Sequence, residues 1–473
     1  MSVKLSQWHE NERLLLWVQR VPGRLALWAV ASALLLWHGS NLTMLAALSA
    51  VMLHPAGRRL YLSFAAVGML TSRFLELPDL PLSIAAPWPW LPVVLAAAAG
   101  TCLLYLAYIL AQRYSSWPTV VQRHPVLAVH AGAWLAMSVS TLPWFGALSL
   151  VTYFTWRFSY LAASASRGKL AGTRFRDHLF YLMPVYGGTT TPYGKGLDFL
   201  SRHEATDAAA MARSQLAGIK LLLLAAVWIY ALELLDMVIF GATAKLLAGW
   251  PTAWMGGWTL GWPRLKALVA LGAYPAWPIG WATAYLELIR ATLVLAVMGH
   301  VIVGCLRLLG FNVFRNTYKP LLAESVLEFW NRYYYYFKEL LVDFFFYPSY
   351  LRLRGLSPAA RMFAAVFAAA FLGNMYHHLL IQPEHLIHFD LARLWASWSP
   401  RLVYCFLLAL GIWVSMLRQQ KLRAAGGAVR YVVRLRRIAG VWTFFAIIQI
   451  WNVKHAGVSI GDCTAFFLSL FGV

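Results

Sequence analysis

The chain has 473 residues, 60% of them hydrophobic and 12% charged, with a mean hydropathy of +0.61. A soluble domain carries about twice that charged fraction, and no globular core could hide so much apolar surface, so a water-soluble fold is excluded. The excess of 40 Lys and Arg over 18 Asp and Glu accompanies no nucleic-acid-binding motif; cytoplasmic loops facing anionic lipid headgroups account for it instead.

A spanning helix needs about 20 largely apolar residues, and such stretches recur along the chain. Leu25–Trp37 and Leu42–Leu53 are short and flank Gly39-Ser40-Asn41, which predicts a hairpin. Tyr61–Leu75 and Leu91–Leu110 follow, then Val126–Leu142 and Trp144–Leu161 on either side of Pro143. Leu216–Phe240 is long and carries Glu233 and Asp236. Next come Ala267–Trp281, Ala284–Leu309, Met362–Ile381, Leu402–Met416, Val441–Trp451 and a last apolar stub, Ala465–Val473. The expected fold is an all-α polytopic membrane protein of about eleven transmembrane helices, with re-entrant or in-plane helices around a central polar funnel. It forms a single integral membrane domain over residues 1–473, comprising N-terminal helices (1–165), a core (166–390) and C-terminal helices (391–473).

The N-terminus lacks a signal-peptide pattern, so the first span is expected to act as its own targeting signal. Cys102, Cys305, Cys405 and Cys463 lie in or beside apolar runs and read as buried thiols. Many of the 23 tryptophans, among them Trp88, Trp90, Trp250, Trp254, Trp258 and Trp262, sit at span ends as an interfacial belt would. The densest basic loops, Arg167–Arg176, Arg202–Lys220 and Arg418–Arg437, are placed in the cytoplasm. Arg361 then starts its helix on that side, and His377, about 24 Å further along it, lies deep in the membrane.

Two intervals do not read as spans. Ser166–Arg213 is polar and turn-rich, with Pro184, Gly187-Gly188 and Pro192. Phe314–Gly355 is aromatic and charged together, with Tyr333 to Tyr336 consecutive. Irregular backbone at membrane depth is tolerated only inside protein or along a watery cavity, so these intervals are where chemistry is sought.

The second interval contains Tyr318-Lys319-Pro320, Ser325 to Phe329, Trp330-Asn331-Arg332, and Asp343 with Tyr347-Pro348; about thirty residues later stands Gly373-Asn374-Met375-Tyr376-His377-His378. The order and spacing resemble the membrane-bound O-acyltransferase family. In that family a Pro-x-x-x-x-Ser-x-x-x-Phe-Trp segment leads to Arg-Asp-Tyr-x-x-x-Pro and then to a Gly-x-Trp-His-Gly helix bearing the catalytic histidine. The bacterial branch that includes alginate O-acetyltransferase and D-alanyl transfer proteins is the most similar, and Phe329 to Arg332 repeats its Phe-Trp-Asn-Arg tract. Phe180-Tyr181-x-x-Pro184 followed by Gly187-Gly188 is similar to a further family segment. Two departures stand out. Tyr334 occupies the position of the family's second histidine, and His378 replaces the small residue after the first. A two-histidine division of labour therefore does not carry over intact.

The residues themselves admit the chemistry the resemblance implies. Acyl transfer to a hydroxyl needs a base near neutral pH and a donor for the developing oxyanion. His377 is the candidate base, Asn331 and Asn374 offer amide donors, and Tyr334 offers a phenol. Lys319 and Arg332, with Arg315, suit an anionic donor; Trp330 and His378 complete the candidate substrate-binding set. Against this, a lone intramembrane histidine can be a packing residue, Asn331 can simply satisfy backbone groups, and the tyrosines can form an interfacial cluster. His377, His378, Glu384, His385 and His388 do not match His-Glu-x-x-His, and Pro383 interrupts them, so no metal site is expected. Glu233 with Asp236, and Glu287 with Arg290, form either a proton or ion path or helix-interface pairs.

The resemblance implies a membrane-bound O-acyltransferase of a bacterial inner membrane, without bound cofactor. It would move an acyl group, acetyl in the form favoured, from a coenzyme A or carrier-protein thioester to a hydroxyl of an envelope polysaccharide or similar extracytoplasmic acceptor. Its partners would be the bilayer, the donor and a separate periplasmic acyltransferase; nucleic acid is not among them. The rival readings are a transporter or flippase using the intramembrane carboxylates, and a non-catalytic scaffold descended from an acyltransferase.

Overall fold

A computed structural model of the chain describes residues 5–40, 42–75, 90–139, 144–183, 191–242, 259–381, 390–425, 431–452 and 458–473. Every regular element among them is a helix. In chain order the α-helices are α1 (Glu12–Val18), α2 (Val21–Trp37), α3 (Leu42–Leu53), α4 (Arg58–Leu75), α5 (Leu91–Gln112), α6 (Thr119–Arg123) and α7 (Pro125–Val139). There follow α8 (Trp144–Ser166), α9 (Phe175–Leu182), α10 (Leu197–Arg202), α11 (Ala208–Val238), α12 (Leu265–Leu271), α13 (Trp277–Leu308) and α14 (Val326–Tyr333). The last are α15 (Tyr335–Leu341), α16 (Tyr347–Arg352), α17 (Pro358–Phe367), α18 (Asn374–Ile381), α19 (Leu391–Ala425), α20 (Tyr431–Ile448) and α21 (Ile460–Ser469).

Among the described residues five helical stretches are long and apolar enough to cross a bilayer: α5, α11, α13, the continuous Pro358–Ile381 segment, and Trp398–Gln420 within α19. Shorter apolar helices include α2, α3 and α21. The protein is an all-α, multi-pass membrane protein. Pro184, Gly187, Gly188, Trp88, Trp250, Trp254, Trp258, Pro383, Glu384, His385 and His388 lie outside the described residues.

Several boundaries differ from the hydropathy reading. The expected Ala267–Trp281 span is two pieces, because α12 stops at Gly272, whose φ of 61° suits only a residue without a side chain. The second piece belongs to α13, which begins at Trp277 and runs 32 residues without a break at Ala282-Thr283. Pro278 falls in its first turn, where a missing N–H costs nothing. α19 extends well past Leu402–Met416 at both ends and contains Pro400. Its polar fringes remain helical although apolar counting stops at Met416.

The chain divides into two compact units, Met1–Leu223 with Val301–Phe314, and Leu224–His300 with Arg315–Val473. In the first, the turn-rich interval is fixed by charge. Arg58 donates to Glu204 at 2.5 Å and to the Ala205 carbonyl at 3.0 Å, while Arg59 reaches Asp177 at 3.2 Å and Glu204 at 3.1 Å. In the second unit, the apolar core includes Leu265, Leu268, Ile450, Trp451, Cys463 and Phe466. Cys305, Cys405 and Cys463 are buried thiols as expected, whereas Cys102 is exposed.

Candidate active site

The aromatic interval folds as a chain of short helices with one deliberate break. Ser325 caps α14 by accepting from the Glu328 N–H at 3.1 Å, and Glu328 reaches back to the Glu324 N–H at 2.7 Å. α14 is amphipathic: Phe329 and Trp330 are buried, and Phe329 stacks on Phe445 at 3.8 Å between ring centroids. At Tyr334 the backbone leaves the helix (φ −140°, ψ 77°) and α15 starts at the next residue.

The groups released by that break are taken up by Asn316–Tyr318. Tyr335 N–H donates to the Asn316 carbonyl at 2.9 Å, and Tyr318 N–H donates to the Arg332 carbonyl at 2.8 Å. The Asn316 side-chain oxygen accepts from Tyr336 N–H at 3.3 Å, and the Thr317 hydroxyl donates to the Tyr333 carbonyl at 2.9 Å. Asn316 and Thr317 are both buried. The broken helix is tolerated because its backbone groups are satisfied within the protein.

α15 continues through a π-helical turn, Val342–Phe346, into α16. α17 likewise passes through a π-helical stretch, Ala368–Gly373, into α18. The two interrupted helices run antiparallel. Phe337 faces His377 at one end, while Phe345 and Leu341 close over Gly373. A Cβ on Gly373 would fall 2.8 Å from Phe345 and 3.1 Å from Leu341, so only glycine permits this approach. π-turns concentrate at functional sites, and here one stands immediately before the histidine-bearing helix.

Phe337 is the centre of the cluster. Its ring centroid lies 4.7 Å from that of His377, 5.3 Å from Tyr334 and 6.2 Å from Trp330. Three expected site residues, drawn from stretches some forty positions apart, thus surround one ring. His377 is buried, and so is Asn374, one helical turn before it on the same face. His378 is half-buried, with its ring centroid 6.1 Å from that of His377.

The remaining expected residues lie elsewhere on the same framework. Asn331 is exposed on α14. Arg332 is held by Glu328 at 2.5 Å and donates to the Lys319 carbonyl at 3.4 Å. Lys319 is exposed, lies near the Tyr318 ring, and has the left-handed φ of 49°, which is strained for a residue with a side chain. Burial, with help from the charges of Glu339 and Asp343, pushes the Tyr335 phenol up to about 12. Burial does the same to Tyr333. Both phenols therefore remain proton donors throughout the neutral range.

Asn316, Thr317 and Phe337 were not singled out by the sequence pattern. Their only signal was membership of the aromatic interval, since helix-break satisfaction and ring packing have no fixed spacing.

The carboxylates of the rival reading are held differently. Arg290 grips Asp236 with both ends of its fork, at 2.6 and 2.9 Å. Arg264 pairs with Glu287, whose carboxylate also accepts from the Leu265 N–H at 3.3 Å. Glu287 and Arg290, adjacent on α13, thus pair away from each other. Among the described residues no cluster of His, Cys, Asp and Glu has metal-binding geometry.

No model of a known protein family matches the chain. It is 31% identical over 187 residues, 38% of its length, to a probable long-chain-alcohol O-fatty-acyltransferase of Arabidopsis thaliana. The chain spans about half the length of that curated relative, 50% of it.

Proposed function

We propose that the protein is a membrane-bound O-acyltransferase in which His377 is the catalytic base. The observation that carries this reading is the convergence of His377, Tyr334 and Trp330 on the Phe337 ring. The plant relative, named as an acyltransferase acting on an alcohol oxygen, supports the same reaction class. The arginine pairing of Asp236 and Glu287 favours interface roles for the carboxylates over a transport path.

In the proposed reaction the neutral imidazole of His377 takes the acceptor hydroxyl proton as the oxygen attacks the thioester carbonyl. The tetrahedral oxyanion that forms needs hydrogen-bond donors, and Tyr334, which packs on the same Phe337 ring as His377, is the candidate. Collapse breaks the carbon–sulfur bond, and the imidazolium returns its proton to the departing thiolate. Asn374 supports His377 from the preceding turn. Lys319 and Arg332, on the exposed side, meet the anionic part of a coenzyme A or carrier-bound donor, with Asn331 and His378 at the margins of the substrate path.

Two finer forms each have their own support. The Phe329–Arg332 tract and the Gly373–His377 helix favour acetyl transfer to an envelope polysaccharide across a bacterial inner membrane, with a periplasmic partner completing delivery. The relative's name favours a fatty acyl group and a long-chain alcohol. Purified protein in nanodiscs, offered labelled acetyl- or palmitoyl-coenzyme A with either a glycan fraction or hexadecanol, decides between them by which product carries label. Label transfer by wild type but not by His377→Ala is the expected result. Equal transfer by both would overturn the assignment of His377.

A further inference from the structure

A cavity of about 1080 Å³ opens in the second unit between α19, α20 and the start of α14. Its volume is that of a large small-molecule site. Its walls divide cleanly by chemistry. Leu407, Leu410, Val414, Val441 and Phe444 form an apolar half. Within this half Phe444 lies against Gly411, where an added Cβ would come within 2.4 Å of the ring.

The other half is polar and basic, with Ser325, Gln419, Arg418, Arg436 and Arg437. Gln419 donates to Ser325 at 2.8 Å and Leu327 N–H donates to Ser415 at 3.2 Å, which ties α14 to α19.

The charges in this half do not cancel. Glu324 is occupied by Arg434 at 2.8 Å and by Arg437 at 3.7 Å. Glu328 is occupied by Arg332. Arg418 and Arg436 have no carboxylate partner among the described residues. Two guanidinium groups thus stand at the mouth of an apolar cleft with their counter-charge unsupplied. Arg418 lies eleven positions after Leu407, about 16 Å along the helix, which is the reach of an acyl chain below a headgroup. Both arginines also sit where their helices leave the apolar stretch, the depth of lipid phosphates.

We infer that this cleft is a binding site for an anionic phospholipid, with its phosphate between Arg418 and Arg436 and an acyl chain along Leu407, Leu410 and Phe444. The site is separate from the Phe337 cluster, and its occupancy does not depend on the protein being an acyltransferase.

The test is lipid retention in nanodiscs made from an equimolar mixture of phosphatidylcholine and phosphatidylglycerol, read by native mass spectrometry. Wild type should retain phosphatidylglycerol over phosphatidylcholine by about tenfold. Arg418→Gln/Arg436→Gln should fall to the bulk ratio, and Arg418→Lys/Arg436→Lys should keep most of the preference. The lysine pair guards against a folding artefact. Equal retention of the two lipids by wild type, or an unchanged preference in the glutamine pair, overturns the proposal. So does displacement of the bound lipid by free coenzyme A, which would mark the arginines as a site for a soluble phosphate ester.

Discussion

The second unit contains two sets of polar groups embedded in apolar helices, and they are built on opposite plans. On α11 and α13, Asp236 and Glu287 meet Arg290 and Arg264 across regular, uninterrupted helices, with forked hydrogen bonds. Around Phe337 the helices are broken or π-wound, and His377 packs on the Phe337 ring. Charges paired in this way hold one geometry, which suits fastening helices together. The irregular backbone near it is tolerated because Asn316 and Thr317 answer for its hydrogen bonds. On the proposed reading, the contrast separates structural from chemical polarity.

The largest expected effect tests that separation directly. His377→Ala should lower acyl transfer by about a thousandfold, measured as product label per folded molecule, with the unfolding temperature nearly unchanged. Normal turnover in this variant would erase the distinction between the two sets. Next in size is Gly373→Ala. The new methyl group must push against Phe345, at a cost of about 1–3 kcal/mol, and should shift the turn that carries His377. A misplacement of about 1 Å is worth as much as a hundredfold in rate, so a loss of at least about tenfold is expected. Phe345→Leu in the same chain should restore much of the rate. A double variant no better than Gly373→Ala would mean the defect lies elsewhere.

How much of this was legible in the sequence depends on whether the cause is local. His377 was legible, because a histidine within a long apolar helix, preceded by Gly-Asn-Met-Tyr, is unusual wherever it occurs. The break at Tyr334 was not, because Asn331 to Leu341 contains no proline or glycine and every residue there tolerates a helix. The break is imposed by the extended Asn316–Tyr318 segment, a tertiary cause. The charge partners were not legible for a related reason. Glu287 and Arg290 are three apart and could meet on one helix face, yet packing gave each a better partner on another segment. The π-turns carried no signal either, since the run from Ala368 to Ala370 is as compatible with an ordinary helix. Of the candidate set, the sequence identified the members around Phe337 but not the ring that gathers them.

A smaller effect is expected from the paired set. Asp236→Asn leaves Arg290 without its carboxylate in a partly buried setting, a cost of about 1–3 kcal/mol, seen as a lower unfolding temperature in detergent. The rate per folded molecule should stay within about twofold of wild type. Loss of transfer with stability intact would move Asp236 into the chemistry and revive a proton-path role.

The mildest prediction sharpens the comparison with another ring-packed histidine, His178 on α9 in the first unit. Its ring lies 5.4 Å from that of Tyr108, and its Nε2 is hydrogen-bonded with the Thr173 hydroxyl at 2.9 Å. Burial lowers its pKa from 6.5 to about 4, against a weaker upward pull from Asp177, which is itself paired with Arg59. Between those two values the unfolded chain binds a proton that the folded protein refuses, so stability is full above about pH 6.5 and declines as pH falls toward about 4. From about pH 7.5 to about pH 5.5 the loss attributable to this residue is about 1 kcal/mol. His178→Gln should remove that share of the acid sensitivity, read as the difference in unfolding temperature between the two pH values, while leaving turnover unchanged at neutral pH. A variant that lost turnover as His377→Ala does would show that ring packing alone cannot tell a structural histidine from a catalytic one, and the case for His377 would then rest on its broken-helix surroundings.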